Sequence, residues 1–422
     1  MTVRDRLVKA ATIVAVLTVV SKSLGFFREA SLAAVFGATH ATDAYLVAQT
    51  IPGLIFSSVG MALGTTFIPV YAQVRRDQGT GAAFAMANSV INATIVLGFA
   101  FVALGEVFAV PLARLVAPGF HGPVYDLTVW LSRVMFPMVI FEALSGLVSG
   151  LLQSEGNFTV PAGVGVGFNF IIISAILGLG PRFGISSVAA GTVLAVGAQV
   201  AWQWPALRRS GFHWRPTLEW RDPGLRRIWQ LAGPILIASS VAQIGLVVDR
   251  ILASGLFEGS VAALNYANRL MVLVPNILGS AIVTVIYPTL ARYSANGEWD
   301  RYTASLGESV RLINLLLVPV TVGMAVLSAP FVRLAFERGA FDSRATAATA
   351  WALLYFAPAT AGMALRDMLS RAFFAFQDTT APTVTAVIAV AINVILDLAL
   401  VGTLKQGGLA LQPRSPSSRT RA

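Results

Sequence analysis

Long apolar stretches, separated by short polar or basic segments, run along almost the whole chain. A helix that crosses a bilayer needs about 20 predominantly apolar residues, so stretches of this length with few charges are candidate membrane spans. The pattern predicts eleven such spans. They lie at residues 8–32, 43–72, 84–110, 126–152, 160–180, 184–207, 228–256, 262–291, 304–328, 345–375 and 381–402.

The pattern changes near the C-terminus. Residues 407–411 look like the start of a twelfth span, whereas residues 412–422 form a polar tail rich in Pro, Ser and Arg. We therefore expect the C-terminal helices to be truncated or missing.

The two halves of the chain show a weak internal repeat. A shift of 219 residues aligns DAYLVAQTIPGLIF in the second span with AALNYANRLMVLVP in the eighth, in the same direction. Parallel repeats with a binding site between two helical bundles are a transporter architecture. The sequence thus predicts an all-α polytopic membrane protein with two pseudo-symmetric six-helix lobes around a central cavity. The N-lobe covers residues 1–215, the C-lobe residues 216–411 and the tail residues 412–422.

The composition supports a membrane protein. Hydrophobic residues make up 56% of the chain and charged residues 12%, with a mean hydropathy of +0.73. Soluble domains have about 25% charged residues, so lipid must be the solvent for most of this apolar surface. The segment from Arg4 to Val20 resembles a signal peptide, but no small-residue cleavage site precedes Lys22, and we expect a retained first helix.

The net charge of +10 lies mainly in alternate loops, and an excess of Lys and Arg marks the cytoplasmic side. This distribution indicates membrane topology rather than nucleic-acid binding. It predicts a multi-pass membrane protein with a cytoplasmic N-terminus. The basic residues are Arg4, Arg6 and Lys9 before the first span, Arg75 and Arg76 after the second, Arg208, Arg209, Arg215, Arg221, Arg226 and Arg227 in the middle loop, and Arg292 and Arg301 in a later one.

Hydrolytic and metal chemistry find little support. The three histidines, His40, His121 and His213, fall in separate predicted loops, and the chain has no HExxH pattern and no cysteine. The glycines of GVGVG at 163–167 lie in an apolar span, where small residues permit close helix contact. We therefore do not expect this protein to be an enzyme.

Charged residues within the predicted spans are the strongest functional signal, because a charge at the bilayer centre costs about 2.5–3.5 kcal/mol on insertion scales. Lys22 and Arg28 point about 120° apart on an unbroken helix, and a bend at Gly25 would bring them together. The charges either pair and pin helices, or line a cationic cavity that attracts phosphate or another anion. They are Lys22, Arg28 and Glu29 on the first span, Asp43 at the start of the second and Arg269 on the eighth.

A second polar cluster has the opposite sign. Asn393 and Asp397 are four residues apart and share one face of the eleventh span, and Asp249 lies deep in the seventh. Two carboxylates and an amide would form an oxygen-rich site suited to Na⁺. Alternatively, Asp249 pairs with Arg250 or Arg269. Apart from this ion, no cofactor is expected.

Several of these segments resemble one family. The stretch SKSLGFFREASLAAVFGATHATDAYLVAQTIP is similar to the opening of the MurJ (MviN) lipid II flippases, and the similarity continues over about residues 5–411. The resemblance implies the fold of the multidrug/oligosaccharidyl-lipid/polysaccharide exporter superfamily. Further matching segments are FIPVYAQ, GLLQSEGNFTVPA, NYANRLMVLVPNILG and RAFFAFQDTTAPT.

The resemblance also implies a function, the transfer of an undecaprenyl-diphosphate-linked peptidoglycan precursor, lipid II, across the plasma membrane by alternating access. Its cavity cations correspond to Lys22, Arg28 and Arg269, and their acidic partners to Glu29 and Asp43. The Na⁺ site of coupled members corresponds to Asp249, Asn393 and Asp397. Membrane lipid is an expected partner, with contacts to cell-wall synthesis proteins, and we expect a monomer.

The chain departs from the family in two places. Many members have NLLRR in the second helix, where this chain has GLIFS, so that Phe56 and Ser57 replace an arginine pair. The chain also ends where the family has two further helices, so we expect an incomplete groove for the lipid tail.

Other functions stay open at this stage. A flippase for another polyprenyl-linked glycan, of the teichoic acid or capsule type, fits the same cations. A drug exporter should favour cationic substrates, which three cavity cations would repel. A non-transporting scaffold of the cell-wall machinery and a membrane-embedded transferase are alternatives from other classes.

Overall fold

The computed structural model describes residues 3–392, except positions 221, 275–279, 377, 379 and 390. Some further side chains, including those of residues 3–10, 55–58 and 280–285, are not described either. Within this part of the chain all regular secondary structure is helical. The predicted tail and the twelfth span lie outside the described residues.

The described helices follow the predicted order of spans. A π-helical turn, Ala175–Leu179, joins α5 to α6. The helices are α1 (Val3–Phe36), α2 (His40–Val116), α3 (Pro123–Met135), α4 (Met138–Ser154), α5 (Thr159–Ser174), α6 (Gly180–Phe183), α7 (Ile185–Arg209), α8 (Pro223–Ser254), α9 (Ser260–Val274), α10 (Ser280–Ala295), α11 (Trp299–Val326), α12 (Ser328–Phe336), α13 (Ser343–Ala375) and the short apolar α14 (Thr380–Ala389).

Seven helices of the described part are long and apolar enough to cross a membrane. The predicted spans 43–72 and 84–110 both fall within α2, which is interrupted at Gly79, where φ is 84°. A 77-residue helix would be about 115 Å long, several times the thickness of a bilayer core, so α2 provides two crossings. The predicted span 228–256 is helical in α8, and 262–291 contains α9 and α10. The predicted span 381–402 begins in α14 and continues outside the described residues.

Small residues and side-chain caps shape the helical bundle. A Cβ atom at Gly105 of α2 would overlap the Phe136 ring, so the glycine lets the segment between α3 and α4 approach. Asp222 and Asp342 begin α8 and α13, since each carboxylate accepts a backbone N–H of the first turn at 2.8 Å. The helices α4 and α7 are joined by a hydrogen bond from Ser149.

One end of the bundle gathers the basic loops. Arg75, near the kink of α2, donates to Glu155 after α4 at 2.8 Å. The segment between α7 and α8 lies along the second half of α2, where Asn88 and Asn92 hydrogen-bond to its backbone between residues 213 and 217. The alternate loops that carry excess arginine in the sequence therefore lie close together in space. The division into lobes at residue 215 stays a prediction.

Candidate functional site

A cavity of about 410 Å³ lies between helices from both halves of the chain. The helices α1, α2, α4 and α5 line it from the first half, and α8 and α9 from the second. Its polar lining is rich in side chains that can bind an anion or a polar group. The ionisable and amide side chains are Arg28, Glu29, Gln49, Glu142, Gln243, Arg250, Asn265, Asn268 and Arg269.

Glu29 joins two cavity arginines. Its Oε1 lies 2.7 Å from Nη2 of Arg28 and 3.4 Å from Nε of Arg269. Its Oε2 accepts a long hydrogen bond of 3.5 Å from Asn265 on α9. The Glu29 side chain is only 7% exposed, so its charge is neutralised by these arginines rather than by water.

Asn169 of α5 holds the other side of Arg28. Its Oδ1 accepts from Nη1 of Arg28 at 3.2 Å, and its Nδ2 donates to the carbonyls of Ser21 and Gly165 at 3.2 and 2.8 Å. The guanidinium also lies 5.6 Å from the centre of the Phe168 ring. Arg28 is therefore fixed before any ligand arrives, whereas Arg269 is 50% exposed and free to follow one.

Sequence reasoning missed two ionisable residues of the cavity, Arg250 and Glu142. Nη1 of Arg250 has only a long contact of 3.4 Å with the carbonyl of Val261, and its buried Nε lacks a hydrogen-bond partner among the described residues. Glu142 has a buried Oε2 that also lacks one. Both lie in predicted spans, where an ionisable side chain is a site candidate by default, and that signal was present in the sequence.

The charges of the cavity favour an anion. Three arginines face it, and the carboxylate of Glu29 is shared between two of them. Even with Glu142 ionised, the cavity keeps one excess positive charge. Arginine forks bind phosphate oxygens in a bidentate manner, and the shielded cavity strengthens that attraction.

The structure places Lys22 elsewhere. Lys22 is exposed on α1 and does not line the cavity. The predicted bend at Gly25 is wrong, because α1 continues as one helix from Val3 to Phe36. On this unbroken helix Lys22 and Arg28 point about 120° apart, so only the second reaches the cavity.

The sequence suggested that Asp43 pairs with the cavity cations, but its carboxylate binds backbone N–H groups at the start of α9 instead. Its two carboxylate oxygens accept the backbone N–H groups of Gly259 and Ala262 at 2.8 and 2.7 Å. Asp43 thus caps the N-terminus of α9 from the start of α2, where a negative charge also meets the positive end of the helix dipole. It is buried and does not line the cavity.

Close backbone contacts shut the cavity at the end where Asp43 lies. A Cβ atom at Gly259 would overlap the carbonyl of Ala38, and one at Gly339 would overlap that of Ala34. The backbone N–H of Ala340 donates to the Ala34 carbonyl at 2.8 Å. The two glycines have φ of 82° and 59°, so they combine a left-handed turn with close approach. We call these contacts the closed end.

The predicted Na⁺ site stays a prediction. Asp249 is an exposed residue of α8, whereas Asn393 and Asp397 lie outside the described residues. No group of three or more His, Cys, Asp or Glu suited to a metal occurs among the residues that the structure describes. The side chains of Phe56 and Ser57, which replace the family's arginine pair, are not described.

Similar solved structures share this helical arrangement. A structure described as "Lipid II flippase MurJ, inward closed conformation" matches with a TM-score of 0.81 and 24% identity, over 95% of this chain and 85% of that one. An inward-facing multidrug resistance MATE family transporter of the MOP superfamily matches with a TM-score of 0.73 and 14% identity, over 93% and 96% of the two chains. These likenesses confirm the predicted fold class.

Sequence comparison identifies the family. The chain is 30% identical over 418 residues to the lipid II flippase MurJ of Burkholderia cenocepacia, covering 96% of this chain and 80% of that protein. It is 32% identical over 419 residues to the probable lipid II flippase MurJ of Rhizobium meliloti, covering 96% and 77%. The family model described as "Lipid II flippase MurJ" matches residues 32–413. The chain is therefore a multi-pass membrane protein that belongs to the lipid II flippase MurJ family.

Proposed function

We propose that this protein moves lipid II across the bacterial plasma membrane for cell-wall synthesis. One observation carries the proposal: Arg28, Arg250 and Arg269 face a single cavity between the two halves of the chain, and among the described residues that line it Glu29 is the one carboxylate that pairs with any of them. A diphosphate supplies the missing negative charge, and the amide side chains around it suit a sugar headgroup.

The geometry supports alternating access. The headgroup enters the cavity while the prenyl tail stays in the lipid, since a buried polar headgroup needs partners that hydrocarbon does not offer. The closed end then separates, the opposite end closes and the headgroup leaves on the other side. The contacts of Asp43 with α9 favour the closed end in the absence of substrate, so part of the substrate's binding energy must offset them.

The orientation and the ion belong to the same proposal. The end with Arg75 and the basic segment between α7 and α8 faces the cytoplasm, together with the N-terminus, and the closed end faces outward. A Na⁺ ion bound at Asp249, Asn393 and Asp397 assists the return of the empty carrier, because the membrane potential contributes about 2.3 kcal/mol per charge per 100 mV.

A flippase for another polyprenyl-linked glycan would use the same cations, and a scaffold would need none of them. Complementation separates the scaffold from both flippases. In a bacterium depleted of its own flippase, the chain should restore growth, and Arg28→Ala or Arg269→Ala should abolish this rescue at unchanged protein level. Arg76→Ala is the control, because Arg76 is exposed and pairs only with its neighbour Asp77. Normal growth with both cavity arginines replaced would contradict the proposal.

Reconstituted vesicles test the substrate. We expect the initial rate of lipid II transfer to fall at least about tenfold in the Arg28→Ala variant, since a charged hydrogen-bonded contact contributes about 1.5–3 kcal/mol. Transfer of a teichoic-acid-type lipid at the same rate as lipid II would favour the other glycan flippase instead.

A further inference from the structure

Glu142 stands apart from the other charges of the cavity. It is the only ionisable residue of α4, whose sequence is MVIFEALSGLVSGLLQS. It lines the cavity, its Oε2 is buried without a hydrogen-bond partner, and it takes part in no ion pair among the described residues. The other cavity carboxylate, Glu29, binds two arginines and an amide.

Glu142 is half-buried, and a carboxylate with one oxygen buried without a partner is destabilised in its ionised form unless an ion joins it. Transfer of an ionised carboxylate out of water costs several kcal/mol unless opposite charge and hydrogen bonds replace the lost hydration. The structure gives Glu29 such partners and gives Glu142 none within the described residues. Protonation is the simplest way to remove this cost, because a proton needs no further ligands.

Among the described residues that line the cavity, the charged neighbours of Glu142 come from three other helices. The charged groups that line the cavity are Arg28 and Glu29 from α1, Arg250 from α8 and Arg269 from α9. The Tyr45 hydroxyl from α2 is buried and bonded to Thr192 at 2.9 Å. The helices α5 and α7, which also pack against α4, add no ionisable side chain to the lining. The undescribed side chains at 55–58 and 240–242 are not ionisable either.

Protonation of Glu142 sets the charge that a ligand meets. Three arginines and the ion-paired Glu29 leave two positive charges in the cavity when Glu142 is neutral, and one when it is ionised. A prenyl diphosphate linked to a sugar carries two negative charges at neutral pH. The neutral form of Glu142 therefore matches the charge of that group, whereas the ionised form leaves one negative charge of the diphosphate unbalanced.

We propose that Glu142 is a proton-binding site, and that the prenyl diphosphate headgroup enters the cavity together with one proton on this carboxyl group. The inference rests on the proposed function and adds a coupling ion to it. Binding is reciprocal: if the proton strengthens diphosphate binding, diphosphate strengthens proton binding by the same factor. Substrate release on the far side then also releases the proton, so the pH difference across the membrane affects transfer, and a higher proton concentration outside opposes the outward step.

Binding measurements on the purified full chain test this coupling. The probe is undecaprenyl diphosphate esterified to a neutral sugar, because both phosphate groups are then esterified and neither titrates in the range used. Between about pH 5.5 and about pH 8.5 the Kd of the unmodified protein should rise about tenfold or more, as expected for the loss of one neighbouring charge interaction. Glu142→Gln should bind with a low Kd that does not change with pH. Glu106→Gln should behave as the unmodified protein, because Glu106 is exposed and pairs with Arg133 outside the cavity.

A second measurement needs no variant. In weak buffer near neutral pH, saturation of the unmodified protein with the same sugar-linked undecaprenyl diphosphate should take up protons, up to about one per protein molecule. A Kd that stays constant with pH, no proton uptake, or a Glu142→Gln protein that keeps the pH dependence would each overturn the inference and leave the proposed function intact. If the unmodified protein binds no prenyl diphosphate at any pH, both proposals fail.

Discussion

Asn169 shows how one neutral residue positions a charged one. It accepts from Arg28 and anchors itself to two backbone carbonyls of α1 and α5, so the guanidinium faces the cavity in a fixed direction. Asn169 lies 141 residues from Arg28 in the sequence and sits in an apolar span, where a lone amide reads as an ordinary helix contact. Its role in positioning Arg28 becomes visible only in the structure, where the two side chains lie side by side.

Replacing Asn169 by leucine tests this role. The change keeps a similar volume and removes the amide, so Arg28 loses its hydrogen bond to Asn169 and keeps its ion pair with Glu29. We expect the Kd for undecaprenyl diphosphate to rise about tenfold, the effect of losing a hydrogen bond to a charged group. Asn169→Gln should recover part of the affinity. Ser174→Ala, on the same helix, should have no effect, because the Ser174 hydroxyl bonds only to its own helix. An unchanged Kd in Asn169→Leu would contradict a positioning role.

Sequence analysis did not assign Glu142 and Arg250 to the cavity, although both lie within predicted membrane spans. Each is the kind of intramembrane charge that made Arg28 a candidate, yet Glu142 is alone in its span and Arg250 was considered only as a partner of Asp249. The structure brings both to the same cavity. A lone ionisable residue in an apolar span therefore merits the same attention as a cluster.

At the scale of elements, the turns of the closed end decide how tightly the two halves meet. Gly259 begins the turn into α9, with φ of 82° and no room for a Cβ atom beside the Ala38 carbonyl. Gly297 has a similar φ of 71°, but a Cβ atom there would meet nothing within 4 Å. An alanine at either position would strain the backbone, but only at Gly259 would it also collide with the facing chain. Comparing the two positions therefore separates these two effects.

We expect Gly259→Ala to open the closed end and Gly297→Ala to leave it shut. Because the chain contains no cysteine, the readout is the cross-linking of His40→Cys to Glu258→Cys by a short bifunctional maleimide, since the native side chains form a pair with 3.5 Å between their tips. The yield of this cross-link should fall several-fold in the first variant only, since both variants pay about the same cost of about 1–2 kcal/mol for a left-handed alanine. Equal yields in the two variants would show that the contact at Ala38 does not hold the end closed.

The molecule as a whole has two chemically different ends. The closed end joins the turns near residues 38, 259 and 340, and the opposite end holds Arg75 and the basic segment between α7 and α8. Since alternate loops of a polytopic protein lie on alternate sides, this grouping agrees with the charge pattern along the sequence. We predict separately that the basic end faces the cytoplasm and the closed end faces outward.

Single cysteines test that orientation in intact cells. A membrane-impermeant maleimide added from outside should label His121→Cys, in the turn before α3, and should miss Thr217→Cys, in the basic segment. Both positions are exposed, so both should react after the membrane is permeabilised, which controls for accessibility. Labelling of Thr217→Cys alone in intact cells would invert the topology.

The sequence by itself determined the class of protein, the order and approximate extent of most spans, and the family. Hydropathy and helix length are local properties, because a segment in lipid must satisfy its backbone hydrogen bonds within its own helix. The spans could therefore be located without knowledge of their neighbours. The family followed from motifs such as SKSLGFFREA. The comparisons with known proteins confirmed this family.

Only the tertiary structure decided which charges meet. Arg28 and Asn169 are 141 residues apart, and Asp43 and Ala262 are 219 apart, so no local pattern links them. The structure brought Arg250 and Glu142 to the cavity, left Lys22 outside it and turned Asp43 into a cap for α9. The direction in which a side chain points depends on helix packing around the cavity, and packing is a property of all the helices together.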